Sequence, residues 1–341
     1  MSIGLDLGNH SIKIVELEKV SNSVVLSNFA VFESDKLKLD LNDEDALNLY
    51  ISKLKSYFKE IDFKSKDVVL SIPDTEVFVT IKNLPKMKEK EIREYIPLQA
   101  SDVFPENIAS LIYDIKILKE LDNNLVEVLL VGARKQRVEK YIEIVKRSGL
   151  VPKILEPKSI SNARLVDEMT NNKANIVLDF GYNQTNLEIS LNKIPRFVKS
   201  ISIGSNSMNK ALSQNLDLSL LQAEEYKKTY GLISGIADDK ILEYLKPLVD
   251  SIILDLKRSI VYFVEKNKGV EINKIYLMGG LANLPGLPEY LVQNLNFNVE
   301  VFNLFSKIKV ASTLGKFENE LKNISPILSN AVGASLGQIY E

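Results

Sequence analysis

The sequence predicts an α/β protein built from two related domains, and three observations lead to this prediction. A strand-turn-strand pattern at residues 3–16, IGLDLGNHSIKIVE, returns at residues 176–189 as IVLDFGYNQTNLEI. The matching residues Asp6 and Asp179 are separated by about half of the 341-residue chain, as expected for a duplicated domain. Strands and helices also alternate along most of the chain, which is typical of helices packed on a mixed sheet.

The composition is that of an ordinary globular protein, with 45% hydrophobic and 26% charged residues. The formal net charge is −2, so the basic excess of a general nucleic-acid binder is absent and we expect no nucleic-acid partner. The chain has no cysteine and a single histidine, His10. This excludes disulfides, cysteine-based zinc sites and a Ser-His-Asp triad built elsewhere.

Targeting signals are missing from the sequence. The N-terminus, MSIGLDLG, runs directly into a strand pattern and lacks the basic start and apolar stretch of a secretion signal. No run of 18 apolar residues occurs, so we expect a cytoplasmic protein that does not insert into a membrane.

The first half of the chain predicts a sheet with packed helices and an inserted unit. Predicted strands lie at 3–7, 12–18, 23–33, 67–72 and 77–82, and a helix at 43–61 follows Asn42 as its N-cap. The segment 86–150 reads as helix, strand, strand, helix, which predicts a small α+β subdomain; its second helix, 135–148, ends at Gly149. A strand at 151–157 and a helix to about 170 follow.

The second half repeats the strand hairpin and then becomes largely helical. Its hairpin turns at Asn192-Lys193, and residues 205–268 contain a helix at 218–231, closed by Gly231, and a longer one at 238–267. Pro247 is expected to kink or interrupt the longer helix. A strand then enters a glycine-rich turn, and a last helix spans about 326–339.

The two hairpins suggest phosphate chemistry. A tight glycine turn lets the backbone approach an anion and point N–H groups at it, and Ser or Thr hydroxyls add donors. An Asp at the end of a strand is suited to hold a hydrated Mg²⁺. The alternative is that each Asp-x-Gly is an ordinary turn, since Asp and Gly are common turn residues.

A third motif, KIYLMGGLANLPGL, ends a predicted strand with the paired glycines Gly279 and Gly280. Two glycines allow a flat group such as an adenosine to lie on the backbone, and Pro285 suits the first turn of a following helix. The alternative is a strand-to-helix turn that uses glycine for its geometry alone.

Together these segments resemble the actin-like ATPase superfamily, with its ribonuclease H-like fold, and within it the PilM family of type IV pilus assembly proteins. The similar segments are DLGNHSIKIVEL, EIREYIPLQASDVFP, AEEYKKTYG and GGLANLPGLPEYL. EPKSISNARL resembles the first connecting helix of the superfamily and NAVGASLG the second. Leu281 departs from the pattern, because many relatives have a third glycine there.

The resemblance implies a domain organisation. The first actin-like domain comprises 1–85, 151–172 and a C-terminal helix at 326–341. Residues 86–150 form the inserted α+β subdomain. The second actin-like domain spans 173–325 and includes a helical subdomain at about 205–268.

The resemblance also implies a site for ATP and Mg²⁺. The phosphate-binding residues would be Gly8, Asn9, His10, Ser11, Lys13, Gly181, Asn183, Gln184 and Thr185, with Asp6 and Asp179 holding Mg²⁺ through water. The adenosine would be bound by Glu224, Lys227, Arg258, Ser259, Gly279, Gly280 and Asn283. Glu156 is the candidate catalytic residue, for positioning water. Three structural alternatives remain open: His10 as an exposed turn residue, Glu224–Lys227 as a solvated ion pair, and Glu156 as a helix-start carboxylate.

The function implied is an ATP-dependent scaffold with at most slow ATP hydrolysis. Its partner would be the cytoplasmic N-terminal peptide of a PilN-like inner-membrane protein, bound between the first domain and the inserted subdomain, at the inner face of the cytoplasmic membrane. Pilus motor ATPases and self-association into filaments are further expectations, and a related type II secretion system is the alternative setting.

Two other functions stay open at this stage. An FtsA-like cell-division filament protein would end in a basic amphipathic helix, whereas no Lys or Arg follows Lys322. A small-molecule kinase of the same superfold would need an aspartate base, and we find no candidate beyond Asp6 and Asp179.

Overall fold

The computed structural model describes residues 1–33, 39–168, 170 and 173–340, which form three β-sheets with helices packed on them. In chain order the strands and helices are β1 (Ser2–Leu7), β2 (Ser11–Val20), β3 (Ser23–Glu33), α1 (Glu44–Glu60), β4 (Asp67–Ile72), β5 (Val77–Pro85), α2 (Glu89–Tyr95), α3 (Ala100–Val103), β6 (Leu111–Leu121), β7 (Leu125–Arg134), α4 (Lys135–Arg147), β8 (Val151–Pro157), α5 (Lys158–Asp167), β9 (Ala174–Phe180), β10 (Thr185–Leu191), β11 (Ile194–Ile201), α6 (Ser205–Leu216), α7 (Leu220–Tyr230), α8 (Lys240–Lys266), β12 (Ile272–Gly279), α9 (Leu287–Leu295), β13 (Val299–Val301), β14 (Lys309–Val310) and α10 (Glu318–Tyr340). None of the helices described here combines the length and apolarity needed to cross a bilayer.

The first sheet has the strand order β14-β3-β2-β1-β4-β8 and is covered on both faces. On one face Ile3 and Leu5 pack with Tyr50 of α1 and Ile144 of α4. Helix α10 lies on the other face, against β1 and β2. Its backbone comes so close that a Cβ on Gly4 would stand 1.7 Å from the Ala331 carbonyl oxygen, so this position admits no side chain.

The second sheet, with the order β11-β10-β9-β12-β13, repeats the local plan of the first. β9 pairs antiparallel with β10 and parallel with β12, as β1 does with β2 and β4. Its core is formed with helices α6 to α9. The predicted β10–β11 turn is confirmed, because Asn192 and Lys193 have φ values of 53° and 63°, as a two-residue hairpin turn requires.

The third sheet has the order β5-β7-β6 and its own small core with α2. β5 starts at Val77, within the range predicted for the first domain, yet its ladder partner is β7 of the inserted unit. Likewise β14 lies within the range predicted for the second domain but pairs with β3 of the first sheet. The domain boundaries themselves stay predictions.

Three details of the predicted helices are wrong. The N-cap of α1 is Asp43 rather than Asn42, because the Asp43 carboxylate accepts bonds from the N–H groups of Asp45 and Ala46. Pro247 lies inside a continuous α8, on its exposed side, where water can satisfy the carbonyl that proline leaves without a donor. The last helix begins at Glu318 and passes through Pro326.

Candidate functional site

A cavity of about 580 Å³ lies between the β1–β2 turn and the β9–β10 turn. The glycine turn after β12 and residues Glu224, Lys227 and Lys228 of α7 also line it. Most of the residues predicted for nucleotide binding line this one cavity: Asp6, Gly8, Asn9, His10, Ser11, Lys13, Asp179, Gly181, Asn183, Gln184, Glu224, Lys227, Gly279, Gly280 and Asn283.

The two turns have the same internal geometry. In the first, the N–H of Gly8 donates to the Ser11 carbonyl at 3.0 Å, and in the second the N–H of Gly181 donates to the Gln184 carbonyl at 2.9 Å. A Cβ on Gly8 would lie 2.7 Å from the Ser11 oxygen, and one on Gly181 would lie 2.9 Å from the Gln184 oxygen. Both turns therefore require glycine for steric reasons.

An aromatic stack joins the two turns across the cavity. The rings of His10 and Tyr182 lie 4.6 Å apart with an interplanar angle of 4°. His10 is half-buried, so it is not the exposed turn residue of the alternative interpretation. Tyr182 was not predicted as a site residue. Its position directly after Gly181 is the sequence feature that indicates a place in the second turn.

Asp6, at the end of β1, is fully buried between two lysines. Lys13 Nζ lies 3.2 Å from its Oδ2, and Lys158 Nζ lies 2.7 Å from its Oδ1. Burial alone would raise the pKa of Asp6, but the two ammonium groups outweigh it and lower the pKa to about 2. Asp6 is therefore ionised and already neutralised by protein cations.

Asp179, at the corresponding end of β9, has a different environment. Its Oδ2 accepts a bond from the side-chain amide of Asn330, at 3.0 Å, so its described partner is neutral. Two further carboxyl groups are electrostatically coupled to it. Burial raises the pKa of Asp74 to about 6 and the pKa of Glu188 well above its ordinary value. Burial therefore favours the uncharged form of both carboxyl groups.

The predicted Mg²⁺ site does not fit this arrangement. A divalent cation at Asp6 would have to share the carboxylate with two ammonium groups that already contact both of its oxygens. Across the described part of the chain, no group of three or more His, Cys, Asp or Glu side chains is arranged to hold a metal ion. The residues around Asp6 therefore do not fit the expected Mg²⁺ ion.

Glu224 and Lys227 form an ion pair in which Lys227 is buried and Glu224 is partly exposed, so the pair differs from the solvated one of the alternative interpretation. Lys227 is 1% exposed; its ammonium donates to Glu224 Oε2 at 2.5 Å, to Asn209 Oδ1 at 2.8 Å and to Ser205 Oγ. Burial raises the pKa of Glu224, but Lys227 outweighs this and lowers the pKa to about 2. The remaining carboxylate oxygen is contacted by Lys228, at 3.2 Å. A fixed anionic acceptor therefore stands at the cavity wall.

The paired glycines after β12 have different roles. Gly279 has φ of 80°, and a Cβ there would lie 2.3 Å from the Phe180 carbonyl oxygen, so glycine is required. Gly280 has open space at its Cβ position and leaves a flat backbone surface. Leu281, the departure from the family pattern, is buried in the core of the second sheet and also lines the cavity beside Gly280.

Comparison with known proteins identifies the family. The model of the family described as "Type IV pilus assembly protein PilM" matches residues 4–338. The chain belongs to the PilM family. The PilM family resemblance seen in the sequence is thereby confirmed.

Solved structures confirm the actin-like fold. A structure described as the PilM-PilN type IV pilus biogenesis complex matches with a TM-score of 0.84 at 24% identity, covering 99% of this chain and 98% of that chain. MreB5 of Spiroplasma citri bound to ADP matches with a TM-score of 0.53 at 14% identity, covering 100% and 95%. The archaeal actin homolog Ta0583 in complex with ADP gives 0.52 at 13% identity, covering 100% and 99%.

Four predicted site residues are not among the residues that line the cavity of this PilM-family chain. Thr185 is buried and donates to the Ile203 carbonyl at 2.7 Å. Ser259 is buried in α8 and donates to the Asp255 carbonyl at 2.7 Å, while Arg258 is exposed on the same helix. Hydroxyl groups that satisfy neighbouring carbonyls in this way stabilise the fold.

Glu156, the fourth, faces a structural partner instead of the cavity. Arg164 donates to its Oε1 at 2.7 Å and to its Oε2 at 2.6 Å, and Ser161 donates to Oε1 at 2.7 Å. Arg164 also donates to the carbonyl of Gly333 in α10, at 2.8 Å. This bidentate pair ties α5 to α10 and gives no support to the predicted role in positioning water.

Proposed function

We propose that this chain is an ATP-binding scaffold of type IV pilus assembly, which binds a partner in a nucleotide-sensitive way. The observation that carries the proposal is the convergence of two matching glycine turns on one cavity, in a chain of the PilM family. Two turns that face each other can hold a polyphosphate from both sides.

The nucleotide is proposed to lie with its phosphates between the turns and its adenosine near Glu224, Gly279 and Gly280. Glu224 supplies an anionic acceptor for ribose hydroxyls, and Gly280 supplies the flat backbone surface for the base. The fold-level likeness to MreB5 and Ta0583, each solved with ADP, supports a nucleotide in this position. Because Glu156 is held by Arg164, we infer at most slow hydrolysis.

The partner is proposed to be the cytoplasmic N-terminal peptide of a PilN-like inner-membrane protein. The structure described as a PilM-PilN complex supports this choice. A second cavity, of about 430 Å³, lies between α4 and the segment at residues 41–42, where the inserted unit meets the first sheet. We propose this groove as the peptide site; it is lined by Leu41, Asn42, Arg134, Gln136, Arg137, Glu139, Lys140 and Glu143.

The two cavities share residues, which gives a physical route for nucleotide sensitivity. Leu41 and Arg137 line both of them. Arg137 Nε also pairs with Glu76, a residue of the nucleotide cavity, at 3.1 Å. A nucleotide that moves Glu76 therefore moves a wall of the groove.

The cellular location proposed for this scaffold follows from its proposed partner. We propose that it acts at the inner face of the cytoplasmic membrane, through PilN. Contacts with pilus motor ATPases and self-association remain further proposals of the same kind, as does a role in a related type II secretion system.

The test is a titration of the full chain with a fluorescently labelled PilN N-terminal peptide, with and without ATP. ATP should change the peptide Kd by about fivefold or more, the lower range of allosteric coupling. Arg137→Met should reduce this ATP effect, because it removes the guanidinium group that lines both cavities and pairs with Glu76. Arg147→Met is the matched control, since it changes an arginine of the same helix that lines neither cavity.

Absence of peptide binding in both conditions would rule out the adaptor role. Peptide binding that ATP leaves unchanged would retain the partner and remove the proposed nucleotide control.

A further inference from the structure

Lys158 is a cation of the nucleotide cavity that the sequence analysis did not single out. It is the first residue of α5, its side chain is 13% exposed, and it lines the cavity. Its ammonium group lies 2.7 Å from Asp6 Oδ1 and is also coupled electrostatically to Asp179 and Asp74. Lys158 is therefore placed close to Asp6 and within electrostatic reach of Asp179 and Asp74.

The Lys158 ammonium group lies where a metal ion would be expected to compensate the charge of the phosphates. A divalent cation in a phosphate site compensates the charge of the phosphates while it is held by nearby carboxylates. Lys158 meets both conditions with a fixed ammonium group, since it contacts Asp6 and faces the same cavity. Lys13 approaches Asp6 from its other oxygen, at 3.2 Å, so two cations stand at the first turn.

The same geometry disfavours a divalent cation at this point. An ion bound to Asp6 would be a near neighbour of two positive charges in a poorly hydrated site, where charge repulsion is strong. The disagreement between the metal expected from the sequence and the lysines found in the structure is the basis of the inference.

We propose that Lys158 supplies the positive charge that a divalent cation would bring, so that this chain binds a metal-free nucleoside triphosphate. On binding, phosphate oxygens become partners of the Lys158 and Lys13 ammonium groups in place of, or beside, the Asp6 carboxylate. The proposal rests on the proposed function, because it assumes that a nucleotide occupies the cavity.

The experiment is calorimetric titration of the full chain with ATP, in saturating MgCl₂ and in excess EDTA. The wild-type Kd values in the two conditions should agree within about threefold. Lys158→Met should bind ATP about 10- to 100-fold more weakly than wild type in EDTA, the range for loss of a charge-assisted hydrogen bond, and Mg²⁺ should restore part of that loss. Lys158→Arg keeps the charge and should retain binding in EDTA.

Lys153→Met is the matched control, because Lys153 lies on the neighbouring strand β8 with 45% of its side chain exposed and does not line the cavity. It should behave as wild type in both conditions. Wild-type binding that is more than about tenfold weaker in EDTA than in Mg²⁺ overturns the inference and leaves the proposed function intact. An equal EDTA-to-Mg²⁺ ratio for Lys158→Met and wild type also overturns it. No ATP binding in either condition rejects the proposed function itself.

Discussion

The two glycine turns share one backbone and differ in how their aspartates are neutralised. In both, a glycine N–H closes the turn on a carbonyl three residues later, at 3.0 Å in the first and 2.9 Å in the second. Asp6 of the first is neutralised by two lysines, whereas Asp179 of the second has an amide partner and lies near Asp74 and Glu188, whose pKa values are raised. Asp6 is therefore in direct contact with ammonium groups, whereas Asp179 contacts an amide and lies near two carboxyl groups whose pKa values are raised by burial.

The backbone of the duplicated motif and the partners of its aspartates are under different constraints. The backbone of the turn is constrained by close approach, so both copies keep the glycine. One partner of each aspartate comes from an element outside the motif, namely Lys158 of α5 for Asp6 and Asn330 of α10 for Asp179, so these partners are able to diverge without disturbing the turns.

The largest expected effect is a difference between Asp6→Asn and Asp179→Asn. Asp6→Asn leaves Lys13 and Lys158 without their carboxylate and should lower the free energy of unfolding by about 3–5 kcal/mol. Asp179→Asn keeps an oxygen that accepts from Asn330, so the loss should be about 1 kcal/mol. Urea unfolding at neutral pH measures both. Equal losses would contradict the contrast drawn between the two sides.

A smaller effect tests the shared backbone. Gly8→Ala and Gly181→Ala each place a Cβ under 3.0 Å from a turn carbonyl, so each should cost about 1–3 kcal/mol of unfolding free energy. Gly315→Ala is the control, because nothing lies within 4 Å of its Cβ position. A large loss at one turn with none at the other would show that the two turns are not equivalent.

A third effect concerns the protonation of Asp74. The pKa of Asp74 rises from 3.8 to about 6 in the folded protein, so the native state binds more protons than the unfolded state in this window. The free energy of unfolding of the wild-type protein therefore falls as pH rises from 3.8 to about 6. Asp74→Asn does not show this fall, because it has no carboxyl group to titrate. The Tm of Asp74→Asn minus the Tm of wild type should be about 4 °C larger at neutral pH than at acidic pH. Calorimetry at both pH values would detect this, and a gain that is independent of pH would refute it.

The sequence predicted what is local and missed what is distant. Each glycine turn is specified by a few adjacent residues, so the hairpins and the fold class were predictable. Asn330 meets Asp179 from 151 residues away, and no pattern in one sequence indicates such a pairing. Arg258 and Ser259 were expected at the adenosine from the family resemblance and do not line the cavity, because the direction of side chains on a long helix depends on its packing.

The tight contact between Gly4 and Ala331 has a consequence for biosynthesis. β1 and β2 are translated well before α10, which covers one face of both strands. The apolar residues on that face are Val15 and Leu17 of β2, which share a core cluster with Ala331 of α10. They remain without this cover until α10 has been made, and exposed apolar surface of this kind favours aggregation of a nascent chain.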